Sequence, residues 1–348
     1  KLFFLVFLFG HENVPEAIGA MVYVKNALAA AAMAYYLKKS NHKNDFTISA
    51  FGILYAFCGF FIAYYWNIMW IDAMYLLPLV VLGIERIINK QKATFYIVTL
   101  AITFFSNYYM AYMICIFAVL YFLVYFFSNY SIKEVLPTKP IYVDEDGEIY
   151  NRKVDNVLYS RFVESGLLFA LGSFVAVGLA VALLPTYFCL KACSATSGTF
   201  PSDYQFYNNI FDFLANHLTS LEPTIRSSGE DVLPNVYCGI ITVMLVPLYI
   251  FCDKIKAKER AAHIVLLAVF FLGFNLNYLN YIVHAFHFPN DLPFRFSFIY
   301  SFVLLSIAYK AIVNIKSFST KALLGSGVAT VLFAVLVQRL GSKNVTET

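Results

Sequence analysis

Charge is scarce in this chain of 348 residues: Asp, Glu, Lys and Arg make up 13% of it, against about 25% in soluble domains. With 60% hydrophobic and 18% aromatic residues and a mean hydropathy of +0.69, an ordinary soluble globular protein is excluded. The net charge of +4 is small, and the basic residues sit in clusters between apolar runs. Nucleic acid is therefore excluded as a partner, because it needs a basic stripe or patch. No Walker A, GxSxG, HExxH or GxGxxG motif occurs in a supporting context, which leaves soluble-enzyme chemistry and ATP-driven transport without a foothold. The six cysteines make no disulfide framework. Cys58, Cys115, Cys238 and Cys252 fall within or at the ends of apolar runs, and Cys189 and Cys193 lack a second Cys/His pair for zinc. No Gly/Ser linker, composition shift or internal repeat divides the chain, so a single transmembrane domain over 1–348 is expected. The chain opens with Lys1 in an apolar stretch and carries no signal peptide, the expectation for a fragment whose beginning lies upstream.

What is present is a series of apolar runs of the length a bilayer demands, about 20 residues for each helix. They fall near 15–38, 46–63, 73–88, 93–106, 108–127, 161–185, 235–252, 261–280, 294–315 and 320–338. The fold class that follows is all-α, a polytopic transmembrane bundle of about ten spans. Basic residues alternate with them: Lys38, Lys39 and Lys43; Arg86, Lys90 and Lys92; Lys133 through Arg161; Lys254 through Arg260; Lys310, Lys316 and Lys321. The positive-inside rule places these loops in the cytoplasm. Its parity also divides 93–127 into two spans with a turn near Ser106-Asn107. The segment 128–160 is then a cytoplasmic loop. The loop 186–234, with a short amphipathic helix in it, is extracytoplasmic, as are the turns 64–72 and 281–293.

Unusual side chains gather on that outer side. Trp66, Asn67, Trp70 and Asp72 share one turn. An interfacial belt accounts for the tryptophans, whereas Asp72 reads either as a helix cap or as a base or cation ligand. Arg295 stands where the outer turn 284–297 enters a span. A guanidinium there snorkels, pairs with Asp291, or meets an anion such as a phosphate beside helix amides that Pro293 at the helix start leaves free. His284 and His287 read as phosphate donors or proton shuttles ahead of metal ligands. Lys25, inside the first full span, is read as snorkelling and is assigned no role.

Several stretches resemble the YfhO family of bacterial membrane proteins, which belongs with the GT-C class of glycosyltransferases. They are Asn13-Val14-Pro15-Glu16-Ala17, Trp66 through Asp72 with Leu77-Pro78-Leu79 and Gly83-Ile84-Glu85, Leu233 through Gly239, and Phe286 through Phe298. The resemblance implies a GT-C-like bundle in the bacterial cell membrane with its site on the extracytoplasmic side. Its implied activity is transfer of a sugar from a polyprenyl-phosphate donor to a cell-envelope polymer such as a teichoic acid. On that reading Arg295, His287 and Asn290 bind the donor phosphate. Trp66, Asn67, Trp70, Asn235, Tyr237 and His284 bind substrate. The leading GT-C carboxylate is expected upstream of this chain, leaving Asp72, Glu12 and Glu16 as the outer carboxylates that assist or bind a cation. No cofactor is required by the sequence, and a divalent cation is left open. A transporter or lipid flippase, or a non-catalytic scaffold for envelope assembly, are the competing classes.

Overall fold

The computed structural model describes residues 5–130, 142–143, 149–150, 157–181, 200–219, 223–225, 232–289 and 291–341. In chain order its helices are α1 (Leu5–Phe9), α2 (Val14–Asn41), α3 (Phe46–Ala56), α4 (Gly59–Tyr64), α5 (Ile68–Ile88), α6 (Thr94–Ser106), α7 (Tyr108–Asn129) and α8 (Val157–Leu179). They continue with α9 (Ile210–Ala215), α10 (Ile240–Ile250), α11 (Ala257–Asn275), α12 (Asn277–Val283), α13 (Ser297–Val313) and α14 (Thr320–Leu340). Between α7 and α8 the described strands β1 (Tyr142–Val143) and β2 (Ile149–Tyr150) pair antiparallel, Tyr142 opposite Tyr150. Six helical segments among the described residues are long and apolar enough to cross a membrane, and α6, α10 and α13 are shorter apolar helices. The protein is an all-α polytopic bundle, and each of the ten expected spans coincides with a helix or a broken helix.

Two helices carry the core. α5 is mostly apolar, with Asp72 and Glu85 as its buried exceptions, and 16 of its residues from Trp70 to Ile88 are buried, as in a helix surrounded by others. α13 is buried almost throughout from Ser297 to Ala311. α8 and α14 lie outside them and turn Leu171, Phe174, Val331 and Leu332 outward, where lipid chains cover them at no cost. Contacts join the basic clusters at one end of the bundle. Arg161 donates to the Ile88 carbonyl, Arg260 to that of Ile250, and Lys310 pairs with Glu259.

Several helix boundaries differ from expectation. α5 begins at Ile68, not at residue 73: Asp72 is taken into the helix as a buried residue, so the segment reaches the 21 residues a span needs. The run 46–63 is broken at Phe57-Cys58 into α3 and α4. The expected turn at Asn107 is present, with Asn107 extended and its Oδ1 accepting from the amides of Tyr109 and Met110. The run 261–280 is interrupted at Leu276. There the loop around Gln205 takes up the exposed main chain: Tyr207 N donates to Asn275 O at 2.8 Å and Asn277 N to Gln205 O at 3.2 Å. In an apolar medium such a break persists only when its freed groups are paired this way.

Pro78 in α5 shows the same rule. Proline cannot donate to the carbonyl four residues earlier, which is that of Met74. The Tyr55 hydroxyl on α3 donates to that carbonyl instead, at 2.9 Å, and Tyr55 is fully buried. Tyr55→Phe is expected to lower stability by about 1–3 kcal/mol, the cost of an unsatisfied buried acceptor. In a Pro78→Ala background, which restores the helical donor, the same change should cost clearly less. A double-mutant cycle of melting in detergent measures the difference.

Candidate functional site

The site lies at the end of the bundle opposite the basic clusters, where α5, α7 and the turn before α13 meet. Residues 285–289 and 291–294 take an irregular path: Ala285, Phe286, Leu292 and Phe294 all have positive φ, between 52 and 62°. Each is unfavourable for a residue with a side chain, at about 1–3 kcal/mol. The Tyr64 hydroxyl holds this path at Pro293 O at 2.8 Å, and the Tyr112 hydroxyl holds the end of α12 that leads into it, at Ile282 O at 3.0 Å.

This path turns two carbonyls toward Arg295. Its Nε donates to Leu292 O and its Nη2 to Asp291 O, both at 3.0 Å. The guanidinium carbon lies 5.0 Å from the centroid of the Trp70 ring and 5.1 Å from that of Tyr109, within range of a cation–π attraction. The half-buried Arg295 forms no ion pair with a carboxylate among the described residues. Its charge is thus held by rings and carbonyl dipoles. Pro293 is not at the helix start, as the sequence suggests; α13 begins at Ser297, and the amides of Ser297 and Ile299 bond back to Phe294 and Phe296.

Asp72 behaves differently. It lies inside α5, one turn past the N-cap Asn67, so it does not cap the helix. Its Oδ1 is 2.8 Å from Lys25 Nζ, both side chains almost completely buried, and Lys25 also donates to Ile68 O at 3.0 Å. Each charge makes the other tolerable away from water. Glu12 and Glu16 are exposed at the head of α2, and Glu16 is about 13 Å along that helix from Lys25 at 1.5 Å per residue. The structure does not gather the three carboxylates around one point.

The aromatic and polar residues fall in two groups. Trp70 is buried against Phe60 and Tyr64 and forms the floor beneath Arg295. Trp66 is half-exposed and donates Nε1 to Ala63 O. The segment from Leu233 to Gly239 runs over α4. Gly59 N donates to Tyr237 O, and a Cβ on Gly59 would come within 3.2 Å of the Asn235 and Tyr237 main chain, which would have to shift by a few tenths of an ångström to admit it. Gly239, at φ +99°, lets this segment turn into α10 over Leu54. The Asn235 amide closes on both main-chain groups of Thr224, at 3.0 and 2.8 Å. Asn235 therefore positions a loop in this structure.

His287 packs its ring on Tyr109, with Nε2 3.5 Å from the hydroxyl. Burial lowers its pKa, and Arg295 beside it acts in the same direction. His284 is fully buried. Its Nδ1 lies 2.8 Å from Asn280 O, which fixes the proton on Nδ1 and leaves Nε2 as a bare acceptor with no partner among the described residues. Asn290, Arg226, Cys189 and Cys193 lie outside the described residues. No three His, Cys, Asp or Glu side chains converge on one point among the described residues. Tyr64 and Tyr109 are members of the site that sequence reasoning does not single out, and Lys25, read there as snorkelling, is instead the partner of Asp72; the one available signal is a lysine in one span and an aspartate at the edge of another.

An apolar crevice of about 220 Å³ runs between α7, α11, α12 and α13, lined by Met113, Phe117, Leu120, Val269, Ile282 and Phe296, the last of these next to Arg295 in the chain. The membrane-spanning bundle defines the class, a multi-pass membrane protein. The chain matches the family model described as bacterial membrane protein YfhO over residues 1–348, and it belongs to that family. No curated protein and no solved structure matches it.

Removing one partner of the buried pair should be worse than removing both. Lys25→Met or Asp72→Asn alone is expected to destabilise by about 3–5 kcal/mol, and Lys25→Met with Asp72→Leu by less than either, as thermal melts would show. A second expectation concerns pH. Burial lowers His284 to about 3 and His217 to about 4. Below the ordinary value near 6.5 the unfolded chain binds protons that the folded one does not. Stability is therefore retained above 6.5 and lost as pH falls toward 4, by up to about 1.4 kcal/mol per pH unit for each histidine. His284→Asn, which does not titrate, should make the melting midpoint less steep in pH over this window.

Proposed function

We propose that this chain is the membrane portion of a glycosyltransferase that moves a sugar from a polyprenyl-phosphate donor to a cell-envelope polymer, such as a teichoic acid, on the extracytoplasmic face. The observation that carries the reading is Arg295, held by Trp70 and Tyr109 with no ion pair to a carboxylate among the described residues, on the turn whose Phe296 lines an apolar crevice. An isoprenoid chain suits the crevice and its phosphate suits the guanidinium, which pairs with phosphate oxygens through two parallel donors. His287 and Asn290 are the neighbouring phosphate contacts in this reading, and Trp66, Asn67, Trp70, Asn235, Tyr237 and His284 surround the sugar and acceptor. The bare Nε2 of His284 is suited to accept from a sugar hydroxyl.

In the reaction, the acceptor hydroxyl oxygen bonds to the anomeric carbon as the bond from that carbon to the phosphate oxygen breaks. The electron pair leaves with the polyprenyl phosphate, where Arg295 stabilises the growing charge. The hydroxyl proton passes to a carboxylate base. Asp72 is closest to Trp70 in sequence, but its carboxylate has to release the Lys25 ammonium before it can accept a proton. Glu12 and Glu16 are exposed at the head of α2.

The test is transfer of radiolabelled sugar from its polyprenyl phosphate to envelope polymer by the full-length protein in proteoliposomes. Arg295→Ala should reduce transfer about 10²- to 10³-fold, the scale for loss of one charge-stabilising donor. Arg295→Lys should recover part of it, because lysine keeps the charge and loses the paired donors. Undiminished transfer in Arg295→Ala overturns the phosphate assignment. Label that crosses the bilayer without entering polymer establishes a flippase.

A further inference from the structure

A larger cavity, of about 390 Å³, lies on the other flank of α13, between that helix, α10 and α14, with Leu214 and His217 at its head. This volume is within the range of small-molecule sites. Val243, Val246, Pro247, Leu304 and Phe333 make its walls apolar, and no Lys, Arg, Asp or Glu lines it. Its outer wall, α14, is mostly exposed and is fastened to α10 where Ser326 Oγ donates to Met244 O. In a bilayer this wall faces lipid.

The polar groups gather at the end nearest the start of α13. Thr242 is committed, its hydroxyl donating to Cys238 O at 3.0 Å. His217 Nδ1 is 3.2 Å from Leu214 O; a carbonyl only accepts, so the proton is on Nδ1. His217 Nε2 is then an acceptor, and its partner at 2.9 Å is the Tyr300 hydroxyl, which must donate to it. His217 and Tyr300 are both at least nine-tenths buried. The Tyr300 proton is committed, and its oxygen keeps a lone pair for an incoming donor. Burial also keeps the imidazole neutral near pH 7. Thr330, across the cavity, is committed likewise, donating to Ser326 O. Among the described residues the head thus offers a side-chain acceptor and no side-chain cation, which favours a hydroxyl over an anionic headgroup.

We propose that this cavity is a second lipid site, which takes a hydrocarbon chain of an uncharged, hydroxyl-headed membrane lipid with its hydroxyl donating to Tyr300 Oη. It differs from the crevice lined by Phe296 in the charge that the proposed reading places at its head. The site does not depend on a sugar transfer, and either reading can fail alone.

Two photoactivatable probes with identical diazirine-bearing chains, a diacylglycerol and a phosphatidic acid, distinguish the alternatives in the full-length protein in phosphatidylcholine nanodiscs. Diacylglycerol is expected to label residues 243–247 and 329–333 about tenfold more than phosphatidic acid does. Labelling of α8 around Phe174 serves as the reference for bulk lipid and for folding. Val246→Trp and Ala329→Trp, which fill the cavity from opposite walls, should reduce the cavity labelling to that reference. Tyr300→Phe should bring the two probes to parity while the chain still labels. Equal labelling by both probes in the unmodified protein, or labelling indifferent to both tryptophans, overturns the proposal.

Discussion

The ion pair between Lys25 and Asp72 sets the height of α2 against α5, and the rest of the site is built from that register. A lysine and an aspartate, each costly away from water, meet at 2.8 Å between these helices. A shift of one turn in either helix separates them and leaves two buried charges. Two residues before Asp72 on the same helix is Trp70, the floor under Arg295. The pair therefore also fixes where the aromatic floor stands relative to the turn 285–294, through helices that cannot slide.

A second constraint runs through the whole bundle: main-chain groups freed from helical bonding find partners inside the protein. The carbonyl released by Pro78 takes the Tyr55 hydroxyl, and the break at Leu276 takes the loop at Gln205. Pro293, between the strained Leu292 and Phe294, takes the Tyr64 hydroxyl, and the end of α12 takes that of Tyr112. Toward the other end, Glu85 is met by the hydroxyls of Tyr36, Ser40 and Tyr121 at 2.7–3.1 Å. Tyrosine, of which the chain has 26, suits this task because its ring belongs in an apolar interior while its hydroxyl reaches a polar group.

These pairings explain how far the sequence can be read. Span positions are legible because a bilayer imposes length and hydrophobicity on each helix separately, and the Asn107 turn because basic-loop parity requires it. The ends of spans are less legible, since a charged residue reads as a boundary unless its partner is known. Asp72 reads as the edge of a span at residue 73, and the partner that draws it into α5 is 47 positions earlier. Lys25, read alone, is a snorkelling lysine. Arg295 is legible as a cation at a helix mouth, but its setting in Trp70, Tyr109 and two carbonyls depends on positive φ at Leu292 and Phe294, positions where the sequence has no glycine to announce it. The family motifs do not reveal that Asn235 holds a loop.

Two cations stand near one another at this end of the bundle, and their partners separate their roles. Lys25 faces a carboxylate and a carbonyl, so its charge is cancelled and an anion arriving there would have to displace Asp72. Arg295 faces two rings and two carbonyls, which orient it and lower the cost of its burial without removing its unit charge. An arriving phosphate completes the second arrangement and disrupts the first. The same reasoning separates the two apolar spaces on either side of α13. On the proposed readings hydrocarbon chains enter both, so selection falls to the heads: on one side a guanidinium beside Phe296 in the chain, on the other a neutral Tyr300 oxygen with a lone pair to offer.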